Sequence, residues 1–575
     1  MQAFMKRRDF IELLSGSGAG VAVSAAIPGV RLLSGQETKV TDERKASEAD
    51  VVIAGGGLGG VAAALALLRN GNSVILTETT DWLGGQLTAQ GVPPDEHPWI
   101  ETHGAPRSYR QFRNRIRDHY RQHYPLTEKE RNNPHLNPGN GAVSHLCHEP
   151  AVAETVIRQM LIPYLSSGRL LLLMEHSPVK AAVKSTRVQS ITVKNERNGM
   201  LTTVKGVHFI DATELGDLLP LTGTAYVTGT ESRSQTHELH APETGDAANN
   251  QAFTMCFAMD HMEGEDHTIA RPADYLFWKN YTPLLKPAWP GRLLGLQYAQ
   301  PQTLQPKDLG FSPDGNSTGP LLNLWNYRRI IDRKNFKEGA YRSDTTVVNW
   351  PQNDYMPGNI VDVSPRELKK HIDAAKQLSL SLLYWLQTEA PGPGGGRGWK
   401  GLRLRNDIMG TADGLAKYPY IRESRRIRAQ FTILEEHVGR ENRARVAFSG
   451  QEKAAPFFDS VGIGYYHIDL HPSSRGNNYI DFPSLPFQIP LGALLPLKME
   501  NIFPANKNIG TTHITNGCYR LHPVEWSIGE AVGLLLVFAA NNGVLPAEVR
   551  KTPGLLKRFQ AFLRTEGVET EWPGS

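Results

Sequence analysis

At 575 residues and 63.6 kDa the chain is long enough for two or three domains with a large core. A composition of 40% hydrophobic and 21% charged residues is that of an ordinary soluble globular protein, and a net charge of only +4 argues against a dedicated nucleic-acid binder. The three cysteines, Cys147, Cys256 and Cys518, stand too far apart for metal-ligand spacing or a disulfide framework, so no metal site is expected.

The chain opens with Lys6-Arg7-Arg8-Asp9-Phe10-Ile11 ahead of a small-residue, weakly apolar run, Leu13 to Ile27. This resembles a twin-arginine signal, predicting a leader over 1–35 and export of the folded protein to the periplasm or beyond. Residues 36–48 are polar and linker-like. No run of eighteen apolar residues follows, so no membrane-inserted segment is expected.

A first domain is predicted over 49–223. Val51-Val52-Ile53-Ala54 reads as a buried parallel strand and breaks into Gly55-Gly56-Gly57-Leu58-Gly59-Gly60, a G-x-G-x-x-G turn leading into a helix from Val61 to Arg69. Gly55 permits the tight turn, Gly57 the approach of a pyrophosphate, and Gly60 the packing of helix on strand. The helix N-terminus offers N–H groups to phosphate. A second strand, Ser73 to Thr77, ends on Glu78, placed to accept hydrogen bonds from a ribose diol. Gly84-Gly85-Gln86 then resembles the glycine pair that follows the ribose acid in flavoproteins of the glutathione-reductase type, which favours FAD over a nicotinamide dinucleotide.

An inserted helix is predicted over 105–122, with Tyr109, Phe112, Ile116 and Tyr120 on one face and Arg110, Arg113, Arg115, Arg117 and Arg121 around the rest. The arginines read as a solvated face or as an anion-attracting cap. After a helix from Ala151 come four β-rich stretches, Arg169–Glu175, Pro178–Lys184, Val188–Lys194 and Leu201–Ile210, predicting a β-meander. The chain then returns to the parallel sheet at Val207–Thr213, making Asp211, Ala212 and Thr213 candidates for cofactor contact; Asp211 and Asp217 read equally as caps.

Residues 224–482 form a mixed α+β substrate or cap domain without a second strand-flanked G-x-G-x-x-G, so electrons are expected to leave to an acceptor other than NAD(P)H, its identity open. Aromatic stretches such as Leu324–Arg329, Asn349–Tyr355 and Tyr465–Pro472 suit a small or carbohydrate-like substrate as well as they suit packing. Alternation places His467, Asp469 and His471 on one strand face, as a metal or acid–base trio or as a hydrogen-bonded structural cluster. Residues 483–545 return to the cofactor: Asn508, Gly510 and Thr511 are binding candidates, and a helix from Val524 to about Ala540 carries Gly529 and Gly533 for close packing. Residues 546–575 read as a closing helix and tail.

IAGGGLGG, Glu78, LGGQ, DATELGDL, NWPQNDY, GTADGLAKYPYIRESRRI and NIGTTHITNGCYRLHPVEWSIGEAVG together resemble the bacterial FAD-dependent oxidoreductases of the FAD-oxidored family, whose members are sometimes labelled xanthan lyase-like. The resemblance implies an α/β fold, with a Rossmann-type FAD-binding domain of the glutathione-reductase type, and redox chemistry. Nothing in the residues supports β-elimination. Hydride removal from a carbon bearing oxygen or nitrogen requires a proton acceptor, for which His513 and His522 are the candidates, while Arg520 is the candidate for positive charge near the flavin or an anionic substrate. Two other classes fit the same motifs: a flavin-dependent reductase of an activated alkene, and a carrier in which FAD is structural.

Overall fold

The computed structural model describes residues 47–313, 318–446 and 453–573. The proposed leader, and all but the end of the linker, lie outside them.

Alternating apolar strands and an Ala/Leu-rich helix build the first layer. Strand β1 (Ser47–Ala54) runs into helix α1 (Leu58–Arg69) and back into β2 (Val74–Glu78), which lies parallel to β1 with Val51 opposite Val74 and Ala54 opposite Thr77. The inserted helix α2 (Arg107–His123) and helix α3 (Pro150–Ser166) follow, then β3 (Leu170–Met174), parallel to β2. The next strands are β4 (His176–Lys184), β5 (Arg187–Asn195) and β6 (Leu201–Asp211), and a last parallel strand, β7 (Ile502–Pro504), comes from far along the chain. The strand order β3-β2-β1-β6-β7 makes the parallel layer, with β5 and β4 continuing antiparallel from the first half of β6.

Two features differ from the sequence expectation. The stretch 169–175 belongs to the parallel sheet, so the meander is β4–β6. The return to the cofactor sheet is no separate strand either. β6 pairs with β5 through Leu201–Lys205 and with β7 through Phe209–Asp211, so one strand serves both layers on the same edge.

On α2, Tyr109, Phe112, Ile116 and Tyr120 are buried as the spacing predicts, and so are Arg113 and Arg117. Four residues apart, the two arginines share a helix face. Arg113 pairs with Glu96 at 2.9 Å and Glu101 at 2.7 Å, and Arg117 with Glu101 at 2.6 Å. That part of the basic face is therefore internal and neutralised.

A four-stranded sheet containing Phe257–His261 and Thr345–Val348 packs with the long helix Pro365–Thr388 into a second core, holding Trp278, Trp325 and Trp350. Helices α4 (His513–Tyr519) and α5 (His522–Asn542) close the cofactor layer. By length and apolarity α5 matches a membrane-crossing helix, but 94% of its most apolar window is buried inside the protein. It is a core helix, lying against α1. A Cβ on Gly529 would fall 1.9 Å from the Gly59 carbonyl oxygen, and one on Gly533 2.8 Å from that of Ala63.

Candidate functional site: a glycine cradle beside a buried polar network

The turn after β1 is built for main-chain approach. Gly55 has φ +97°, and a Cβ there would lie 2.2 Å from the Ala212 carbonyl oxygen. Gly57 caps α1 without a side-chain hydrogen bond, so no side chain of the cap covers the first turn. Asn506, just after β7, accepts from Gly59 N–H at 3.0 Å and donates to the Ala212 carbonyl at 2.6 Å, binding the three loops at the strand ends together. A narrow cleft between them is lined by Gly55, Gly57, Glu78, Gly85, Thr213 and Glu214. A wider cleft of ≈ 560 Å³, lined by Thr230, Glu231 and Asp246 among others, shares no residue with it.

Glu78 ends β2 at the cleft. One carboxylate oxygen accepts from Gly56 N–H and the other from Thr80 N–H and Oγ–H, each at 2.8 Å. Burial, opposed by those hydrogen bonds, pushes its carboxyl up to about 7. Because the folded pKa lies above the ordinary 4.5, the stability this group contributes is full below that value and is lost as pH rises through 7. Glu78→Gln, which cannot titrate, should therefore flatten the fall in urea midpoint of FAD-free protein between about pH 5 and pH 8. Identical slopes for variant and parent would contradict this.

Gly84 and Gly85 both have positive φ, and Gly84 N–H donates to the Gly56 carbonyl at 2.8 Å, so the glycine pair folds back on the phosphate turn. Leu58 is buried in the first turn of α1. The Asp211 side chain turns into its own loop, accepting from Thr213 N–H and Oγ–H and from Leu218 N–H, and Thr213 itself lines the cleft. Burial raises the Asp211 carboxyl to about 7. The Asn508 side-chain amide donates to the Asp211 carbonyl at 2.9 Å. Gly510 is packed so that a Cβ would stand 2.6 Å from the Phe431 carbonyl oxygen, and Thr511 Oγ1 has no partner among the described residues.

The C-terminal candidates divide between two networks. His513 Nδ1 meets Glu423 at 2.8 Å, Glu423 pairs with Arg426 at 2.5 Å, and Arg426 with Glu231 at 2.8 Å. Arg520 belongs to the other network. Its main-chain carbonyl accepts from Gln86 Nε2 at 2.9 Å, and its guanidinium donates to Tyr420 Oη at 3.1 Å and to Asp469 Oδ2 at 3.0 Å. His522 Nδ1 accepts from the main-chain N–H of Asp95 at 3.1 Å, and Asp95 pairs with buried Arg328 at 3.1 Å. Burial lowers the His522 imidazole to about 4. It is therefore neutral at ordinary pH, with its proton on Nε2.

Asp95, Asn506 and Lys507 carry no sequence motif, and Glu214, Glu525 and Arg328 lie within DATELGDL, HPVEWSIGEAVG and Leu324–Arg329, where nothing marks their partners. Lys507 is 1% exposed and lies 2.6 Å from Glu214 and 3.1 Å from Glu525 in the first turn of α5. All three cysteines are buried and free, and burial pushes the Cys147 thiol up to about 12.

A family model described as FAD dependent oxidoreductase matches residues 50–563. The chain belongs to that family. FAD is accordingly its cofactor. No curated protein matches the chain. Among solved structures it is similar to the anhydrotetracycline hydroxylase OxyS from Streptomyces rimosus (10% identity, TM-score 0.32), covering 90% of this chain and 66% of that one. It is similar also to a geranylgeranyl bacteriochlorophyll reductase-like protein from Thermoplasma acidophilum (9%, TM-score 0.29), covering 91% and 85%. A glycerol-3-phosphate dehydrogenase from Bacillus halodurans complexed with FAD matches over 37% of this chain and 40% of its own (11%, TM-score 0.23). At these scores the family match, and not the shape likeness, carries the assignment.

The residues fit FAD. Five of the buried polar atoms without a partner among the described residues belong to residues of the cradle and of the C-terminal candidates. Gln86 Oε1 and Glu214 Oε1 are acceptors beside the glycine pair and suit the hydroxyls of a ribityl chain. Arg520 Nε and His522 Nε2, at the start of α5, and Gln90 Nε2, on a residue lining the narrow cleft, are donors and suit the carbonyl oxygens of the flavin pyrimidine or a substrate oxygen. The bare main chain of the Gly55–Gly60 turn suits the diphosphate, which in FAD joins the ribityl chain to the adenosine.

Proposed function

We propose that the protein is an exported oxidoreductase that removes a hydride from a carbon bearing oxygen or nitrogen. The substrate is a small or carbohydrate-like alcohol or amine, and the electrons pass to an acceptor other than NAD(P)H. FAD, when bound, supplies the two-electron acceptor. The turns at Gly55–Gly60 and Gly84–Gln86 and the loop Asp211–Thr213 hold it, Asn506 locks those loops together, and Asn508 braces Asp211 from behind.

The observation that carries a dehydrogenation is a pair of imidazoles backed by buried carboxylates: His513, two residues after the candidate Thr511, on Glu423, and His471 on Asp354. In each the carboxylate fixes Nδ1–H and leaves Nε2 with a lone pair for the substrate proton. His522 is set the opposite way: its Nδ1 accepts from main chain, so Nε2–H donates, suited to polarising an oxygen. Arg520, buried and kept charged beside Tyr420 and Asp469, holds positive charge at the same place. The acceptor assignment rests on the lack of a second dinucleotide motif in residues 224–482, and export on the paired arginines Arg7 and Arg8.

Anaerobic mixing of the FAD-loaded protein with alcohols, sugars and amines tests the reading. Bleaching of the oxidised flavin spectrum by at least one, reversed by a dye acceptor, is the expected result. No bleaching by any donor, together with oxidation of pre-reduced protein by an enoate, would replace it with alkene reduction.

A further inference from the structure

Removal of a hydride leaves a proton on the substrate oxygen or nitrogen, and the residue that takes it is the next question; the answer rests on the dehydrogenase reading above. His471 follows directly on the strand Ile468–Leu470. Its Nδ1 lies 2.6 Å from Asp354 Oδ2, and Asp354 is 0% exposed. The other Asp354 oxygen accepts from Thr254 Oγ1 at 2.6 Å and lies 3.0 Å from an Arg422 guanidinium nitrogen. Burial alone would push that carboxyl up, but the Arg422 charge and His471 hold it below the ordinary carboxylate range. Asp354 is thus an ionised brace that cannot rotate, and His471 N–H to Gln251 Oε1 at 3.1 Å fixes the backbone as well.

With Nδ1–H given to Asp354, the lone pair is on Nε2. That atom stands 3.7 Å from Asp469 Oδ2, outside hydrogen-bond reach, and the side chain keeps 19% of its surface open. Asp469 holds Arg520 at 3.0 Å, and the Arg520 carbonyl is bound by Gln86 of the glycine-pair turn at 2.9 Å. His471 therefore stands next to the Asp469–Arg520–Gln86 link that ends on a cofactor turn, with a part-exposed side chain whose Nε2 has no hydrogen-bond partner among the described residues.

We propose that His471, braced by Asp354, is the residue that accepts the substrate proton. The O–H or N–H bond breaks with its proton going to His471 Nε2. FAD, when bound, would supply the acceptor for the adjacent C–H hydrogen and its electron pair, so that a C=O or C=N bond is left. The imidazolium is stabilised by Asp354 on one side and Asp469 on the other. Arg422 and Arg520 reach it only across those carboxylates, and the Tyr479 ring centroid, 5.5 Å away, packs edge-on.

The other imidazoles are worse placed. His522 already carries its proton on Nε2. His513 is only 5% exposed, against 19% for His471, and its Glu423 brace is shared with Arg426. His467 is braced by Asp481 at 2.6 Å, but Asp481 is tied outward to Gln302.

The test is stopped-flow reduction of FAD-loaded His471→Ala by whichever donor bleaches the parent. Reduction should slow by at least about a hundredfold with flavin content unchanged, and added imidazole should restore part of the rate. Asp354→Asn, which cannot stabilise an imidazolium, should slow reduction by at least about tenfold and gain nothing from imidazole. If His471→Ala does not accumulate as folded protein, His471→Gln carries the same measurement. An unchanged rate, or a slow rate that imidazole does not restore, overturns the proposal. Failure of every donor on the parent protein would instead strike the dehydrogenase reading itself.

Discussion

Gly59→Ala will give a protein that neither folds stably nor keeps FAD. A Cβ at this position would stand 1.5 Å from the Ala505 carbonyl oxygen and 2.7 Å from Asn506 Oδ1. The atoms in the way are main chain just past β7, so no side-chain rotation relieves the clash. Retreat on the other side is blocked as well, because the Gly59 carbonyl already touches Gly529 of α5. The helix would have to leave its seat, breaking the Gly59 N–H bond to Asn506 and with it the link from Asn506 to the Ala212 loop. A cost above about 4 kcal/mol follows, at the far end of single-substitution effects. Gly554→Ala, where a Cβ meets nothing within 4 Å, is the control and should change stability by less than about 0.5 kcal/mol. Urea midpoints and flavin-to-protein absorbance ratios read both; a Gly59→Ala protein with parental values would show that the three loops are not clamped as described.

Lys507→Met should be nearly as damaging, for an electrostatic reason. Lys507 and Glu525 are fully or almost fully buried, and the lysine is the shared counter-charge of Glu525 and Glu214. Burial raises the Glu525 carboxyl to about 7 even with the lysine opposing it. Taking the cation away leaves two carboxylates with no compensation in a dry site, which costs about 3–5 kcal/mol. The triple variant Lys507→Met, Glu214→Gln, Glu525→Gln removes the stranded charges and should recover most of that loss. The defect of Lys507→Met alone should also shrink as pH falls through 7, because Glu525 then protonates in the folded protein. A single variant as stable as its parent at pH 8 would count against the ion-paired arrangement.

What the sequence disclosed and what it hid follow from the range over which each feature is encoded. The G-x-G-x-x-G turn, Glu78 and the glycine pair lie within about forty residues, and each is a local backbone requirement. The helix carrying Gly529 and Gly533 is legible for the same reason. The polar network is not. Asp95 with Arg328, Glu214 with Lys507 and Asp354 with His471 are single residues brought together across hundreds of positions, and no spacing announces them. His471 stood out by alternation with His467 and Asp469, yet the three side chains go to three different partners. The arginines of α2 show the converse: a helical pattern gives the face but not what faces it, and Glu96 and Glu101 come from an irregular loop. Strand β6 reads in the sequence as two overlapping strands, Leu201–Ile210 and Val207–Thr213, because pattern alone assigns a strand one set of neighbours, whereas this strand changes partners midway along one edge.

The account turns on FAD lying in the glycine cradle, with the unpartnered donors and acceptors of Gln86, Gln90, Glu214, Arg520 and His522 as its partners. Titration of FAD-free, folded protein with FAD, followed by quenching of flavin and tryptophan fluorescence, measures this directly. One FAD per chain is expected, with affinity lowered at least about tenfold in Gln86→Ala, which removes an acceptor, and in Glu214→Gln, whose amide oxygen stays on Lys507 and whose NH2 then replaces the acceptor Oε1 with a donor. Folded protein that takes up no FAD, or binds it equally well without those side chains, would contradict the account.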